Sequence, residues 1–165
     1  MLYRLGQLRS ALWARLSEAD RALLDRQLSA AERRLFERMA PFDQRHALDV
    51  YQLLVHAGEQ NTVLLQAALL HDCGKVDDQG RTIPLLYYGL FVILKKYVPG
   101  LYKAAAQHGR GLLWPFAIHQ SHEQRSIQLV AQAGSSAELL ALLQDYAAGR
   151  QTPATIALAW ADNLC

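Results

Sequence analysis

The sequence predicts an all-α protein, a single compact helical bundle preceded by an N-terminal helical extension. Three observations lead there. Apolar residues recur at three- and four-residue spacing from one end of the chain to the other. Residues that favour helix starts stand ahead of these stretches, with Gly or Pro marking their ends. No alternating run or hairpin signal of useful length interrupts them. Counting the periodic stretches gives roughly seven to nine helices, without an internal repeat or a low-complexity segment.

Each element has its own justification. Leu5, Leu8, Leu12, Trp13 and Leu16 lie at helix spacing. Ser17 can cap "SEADRALLDRQL", with Asp20 at capping-box distance, and Ser29 with Glu32 repeats that start before "RRLFERMA". Residues 1–40 therefore read as a helical extension packed on a core formed by residues 41–165, not as a separate domain. Pro41 breaks the chain, Asp43 offers an N-cap, and "QRHALDVYQLLVHAG" places Ala47, Val50, Tyr51 and Leu54 on one face before Gly58. After Asn61, "TVLLQAALLHDCGK" is apolar enough for a central helix ending near Gly74, which delivers His71 and Asp72 to its last turn. Pro99 and Gly100 precede "LYKAAAQHG"; Pro115 opens "FAIHQSHEQRSIQLVAQAG", and Gly134 closes it. Ser135 begins "SAELLALLQDYAAG", and Thr152 with Pro153 starts the terminal "ATIALAWADNLC".

Composition narrows the function. The 165 residues are 52% hydrophobic and 19% charged, as expected of a folded globular chain. A net charge of +2, with Arg spread along the sequence, argues against sequence-specific nucleic-acid binding. The N-terminus lacks an unbroken apolar stretch and a cleavage site, so a cytoplasmic location is expected. Cys73 and Cys165 fit neither a zinc-finger spacing nor a disulfide framework; a free pair near the site described next is expected. The apolar run "IPLLYYGLFVIL", residues 83–94, is too short for a span, which needs about 20 residues. It reads first as a buried or pocket-lining helix. A weak membrane-surface contact through residues 83–96, with Lys95, Lys96 and Lys103 near headgroups, is the second reading.

The stretch "LLHDCGK" sets His71 beside Asp72 at a helix end, where both can reach one ion if other helices supply further ligands. His46, near the start of its helix, and Asp162, on the last one, are the candidates. Asp145 is a spare for the final position. With "RHALDV", "LLHDCGK" and "LAWADNL" in this order, the chain from about residue 41 onward resembles the HD-domain superfamily of metal-dependent phosphohydrolases. The resemblance implies an HD-type bundle with His46, His71, Asp72 and Asp162 as metal ligands. Imidazole and carboxylate together suit one divalent ion, Mn, Mg, Co, Ni or Zn, with positions open to water and substrate. It also implies a phosphate mono- or diester substrate, a phosphorylated small molecule or nucleotide, hydrolysed by metal-activated water.

Asp72 and Lys75 are the expected catalytic residues, with the Lys75 ammonium able to reach a substrate phosphate. His119 and His122, at i,i+3 on one helix face, are expected to line the phosphate pocket of a mononuclear site. There the chain reads "HEQRSIQLV" where HD proteins often carry "HPELGA": Glu123, Gln124 and Ser126 depart from that pattern. The alternative function is therefore a non-enzymatic HD-fold sensor or partner-binding module. Asp77 and Asp78 read as loop acids, either able to orient a ligand, and His56 and His108 as structural.

Overall fold

A computed structural model describes residues 16–165, so the helical spacing of Leu5, Leu8, Leu12 and Trp13 lies outside the described residues. Helix α1 (Glu18–Gln27) and helix α2 (Ala30–Arg38) each begin with the capping box that the sequence announces. Ser17 Oγ accepts from Asp20 N at 3.1 Å while Asp20 Oδ2 accepts from Ser17 N at 2.9 Å. Ser29 and Glu32 repeat the arrangement. These reciprocal bonds satisfy donors that a helix start otherwise leaves open. Leu24 and Phe36 are fully buried in the same hydrophobic cluster as Leu48, Leu69, Leu139 and Leu158. At about 2–3 kcal/mol for each buried side chain of this size, the extension and the bundle share one core.

Helix α3 (Pro41–His56) starts differently from expectation. Pro41 is its first residue, with φ preset for a helix and no N–H to satisfy. Asp43 is therefore not the cap: it sits at the third position, buried, with its carboxylate turned inward. Helix α4 (Thr62–Leu70) is capped by Asn61, whose Oδ1 accepts from Val63 N and Leu64 N. Leu64, Leu65, Ala67, Ala68, Leu69 and Leu70 are all buried, so α4 is the central helix of the bundle.

Helix α4 ends four residues earlier than its composition suggests. His71 is the C-cap, and Cys73–Lys75 forms a short 3-10 turn. The reason is a tertiary contact. Ser126 Oγ accepts from Gly74 N at 2.8 Å and donates to the His71 carbonyl at 2.7 Å, diverting both groups from a continued α-helical ladder.

Helices α5 (Leu85–Tyr97) and α6 (Pro99–His108) follow, then a 3-10 turn at Gly111–Leu113. Helix α7 (Trp114–Gln132), helix α8 (Ala137–Ala147) and helix α9 (Pro153–Leu164) complete the fold. Ser136, rather than Ser135, caps α8; Ser135 Oγ instead donates to Glu32 Oε1. A smaller apolar cluster of Ile83, Phe91, Tyr102, Ala105, Ala106 and Phe116 joins α5, α6 and the start of α7. The described residues thus form an all-helical bundle of nine α-helices, with one isolated bridge between Val76 and Thr82. No helix among them is long and apolar enough to cross a membrane.

Candidate metal centre

Three helices and one turn bring the sequence candidates together. His46 lies in the second turn of α3, His71 and Asp72 at the abrupt end of α4, and Asp162 in the last turns of α9. His46 Nε2 is 2.9 Å from Asp162 Oδ1 and 3.9 Å from Asp72 Oδ2. His71 Nε2 is 3.6 Å from each of those two oxygens. The ligand atoms of His46, His71 and Asp72 all fall within 4.8 Å of one another.

His71 carries the decisive detail. Its Nδ1 is 2.9 Å from the Ala68 carbonyl, which fixes the ring and directs Nε2 toward the two carboxylates. Among the described residues, that Nε2 is the one buried side-chain nitrogen or oxygen without a hydrogen-bond partner. A buried polar atom left unpaired costs about 1–3 kcal/mol unless something else satisfies it. At 3.6 Å the carboxylates are too distant to bond it. Two imidazoles and two carboxylates are a donor set that fits a divalent cation of the first transition row or magnesium. An ion among these four groups would satisfy the orphaned nitrogen.

Charge at the site is negative and tightly held. Burial alone would raise the pKa of Asp72, but Lys75, His71, His122 and His46 outweigh it and keep the carboxyl well below the usual range. Asp162 behaves alike: burial opposes its charge, and the His46 and His71 rings overcome that penalty. Burial likewise opposes an imidazolium at His71, yet Asp72 and Asp162 lift its pKa to about 9. Without an ion, a proton on His71 therefore helps to balance the two acids.

Around these four lies a layer of orienting groups. Tyr146 on α8 donates its hydroxyl to Asp162 Oδ2 at 2.7 Å, which holds Oδ1 toward the histidines. Lys75 Nζ is 2.5 Å from Asp72 Oδ2 and 3.4 Å from Asp43 Oδ1, and Tyr88 donates to the Asp43 carboxylate. Lys75 is thus not a solvated end-of-helix lysine. It is largely buried, and its ammonium is held between two acids. Asp43 sits where burial, opposed by Lys75, pushes its pKa up to about 6.

The two histidines of α7 differ. His122 Nδ1 is 2.7 Å from the His119 carbonyl, and Nε2 approaches Asp72 Oδ1 at 3.5 Å. His119 instead stacks on Phe91, with centroids 4.1 Å apart, and its Nδ1 pairs with the Tyr102 hydroxyl at 2.7 Å. Burial first, then Lys95 and His122, push the His119 pKa down to about 3, so the ring is neutral. Both line a cavity of about 280 Å³ with Lys95, Tyr102, Lys103 and Glu123.

Other candidates lie elsewhere. Asp145 pairs with Arg150. Asp77 does not orient a ligand: it accepts from Gln79 N and Arg81 N and pairs with Arg81, closing the turn at Gly80. Asp78 pairs with Arg125, which also binds the carbonyls of Gly74 and Val76. His56 and His108 are exposed at the ends of α3 and α6. Both cysteines are free; burial pushes Cys73 up to about 12, an inert thiol against α7.

Asp43, Tyr88, Ser126 and Tyr146 were not singled out as site residues by sequence reasoning. Two of them left a signal: Asp43 precedes His46 by three residues, and Ser126 follows His122 by four, each on one helix face. Tyr88 and Tyr146 left none. Comparison with protein-family models, with curated proteins and with solved structures gives no match to this chain.

Proposed function

We propose that His46, His71, Asp72 and Asp162 hold one divalent ion, and that the chain is a metal-dependent phosphohydrolase of the HD-domain type acting on a phosphate mono- or diester. The observation that carries this reading is His71 Nε2, buried, unpaired and aimed between two ionised carboxylates. The order of the ligands along the chain, His on α3, His-Asp at the end of α4 and Asp on α9, adds the resemblance noted in the sequence.

A bound ion would supply a Lewis acid for a phosphoryl oxygen and acidify a water for attack on phosphorus. The protein's own residues do the rest. His71 is oriented by Ala68 and Asp162 by Tyr146, so the ligands are preset before an ion arrives. The cavity beside His122 presents Lys95 and Lys103 to a phosphate, and Tyr102 and His119 wall it with their rings. Lys75 meets a substrate by exchanging one of its two carboxylate partners.

A panel of nitrophenyl phosphate mono- and diesters and nucleotides, assayed with Mn, Mg, Co, Ni and Zn in turn, tests the proposal. Metal-dependent hydrolysis that disappears in a folded Asp72→Ala protein is expected. A chain that binds an ion yet hydrolyses nothing in the panel would favour a non-enzymatic sensor, a reading that the double pairing of Lys75 also suits.

A further inference from the structure

The longest stretch of the chain without a single acidic residue runs from Gln79 to His122, bracketed by Asp78 and Glu123. It contains Arg81, Lys95, Lys96, Lys103 and Arg110. Helices α5 and α6 both lie within it.

Helix α5 is apolar almost all round, but its two faces have different fates. Phe91 turns inward to the smaller core and is 2% exposed, and Tyr88 points to Asp43. Leu86, Leu90, Ile93 and Tyr97 follow at i, i+4, i+7 and i+11, one stripe along the opposite side. All four are exposed, Leu86 by 85% and Tyr97 by 69%. Leu112, 82% exposed, adjoins the stripe, since its carbonyl accepts the Tyr87 hydroxyl. Leu101 on α6 is also exposed, by 55%. Lys96 flanks the stripe, while Lys95 lies on the far side of the helix in the cavity.

We propose that the α5–α6 face is a docking surface for an anionic lipid bilayer, with α5 lying in the interface plane. The inference does not rest on the metal centre. A helix of 13 residues is about 20 Å long, too short for a hydrocarbon core of roughly 30 Å but suited to lying along its edge. An in-plane helix needs an apolar stripe with a cation beside it and no anions, and here Lys96 stands beside the stripe with no acid between Asp78 and Glu123. A second copy of the chain is a poorer occupant. A two-fold interface would set this face against itself, bringing cations together with no acid in the segment to pair them. The charge balance selects a negatively charged surface that also accepts aliphatic side chains.

Co-sedimentation of the full chain with phosphatidylcholine vesicles, with and without phosphatidylglycerol, tests this. Binding is expected only to the anionic vesicles, and it should weaken as salt is added. Lys96→Glu should weaken it by about fivefold or more, the value of one cation near such a surface. Leu86→Glu/Ile93→Glu should abolish it, with helicity unchanged because both side chains are already exposed. Absence of binding by the parent chain, or equal binding by the Leu86→Glu/Ile93→Glu protein, overturns the proposal. A dimer in solution that the double variant converts to a monomer also overturns it, by giving the face to a second copy.

Discussion

Replacing Gly74 by alanine is expected to unseat the turn that carries Asp72. A Cβ at Gly74 would overlap the His122 carbonyl oxygen and the Ser126 amide nitrogen, both backbone atoms of α7, and crowd the Arg125 Cβ. No side-chain rotation relieves such an overlap, so α7 has to move away. That movement costs about 1–3 kcal/mol in overpacking. It also stretches the 2.8 Å and 2.7 Å bonds of Ser126 Oγ to Gly74 N and the His71 carbonyl, leaving buried groups unpaired at about 1–3 kcal/mol each. Allowing for partial relaxation, the loss is about 3–6 kcal/mol, a fall in Tm on the order of 10 °C for a chain of this size. Thermal denaturation followed by circular dichroism measures it. Gly89→Ala is the control, because Gly89 lies inside α5 with open space around it and should gain about 0.5–1 kcal/mol. A Gly74→Ala protein that melts with the parent would refute the tight seating of the turn on α7.

Two further outcomes follow from the surroundings of the site. Tyr146→Phe removes the hydroxyl that orients Asp162, so metal affinity measured by calorimetry should fall by about tenfold or more with helicity retained; an unchanged Kd would remove Tyr146 from the site. His119 is neutral in the fold, with its pKa pushed down to about 3 from 6.5, so the unfolded chain takes up a proton first as pH falls and stability drops through that window. The loss attributable to it is about 2 kcal/mol at about pH 5 relative to neutral pH. Denaturant titrations of the parent and of His119→Gln should differ by this slope, and parallel pH profiles would contradict the neutral, buried ring.

The parts of the fold that were legible in the sequence are those fixed within a few residues. The boxes at Ser17/Asp20 and Ser29/Glu32 and the cap at Thr152 need only their own neighbours, and each stands where the pattern puts it. The end of α4 was not legible, because it is set by Ser126, more than fifty residues further along. Asp43 was misread as a cap because Pro41 reads equally as a break or as a first helical residue; the structure takes the second option, and Asp43 turns toward Lys75. For α5, an all-apolar run cannot say which face is covered. The tertiary fold buries Phe91 and leaves Leu86, Leu90, Ile93 and Tyr97 outside. At the site, His46, His71, Asp72 and Asp162 were found by residue type and order, and the fold brings them together. Tyr88 and Tyr146 act from helices whose approach only the tertiary structure defines.

The most direct measurement is a calorimetric titration of the chelator-treated chain with manganese and with nickel, paired with elemental analysis of the purified protein. The account predicts one ion per chain, lost in a folded His71→Ala/Asp72→Ala protein. Equally tight binding by that double variant would contradict the metal centre. Two ions in the parent, with one lost on replacing His122, would make His122 a ligand and end the mononuclear reading.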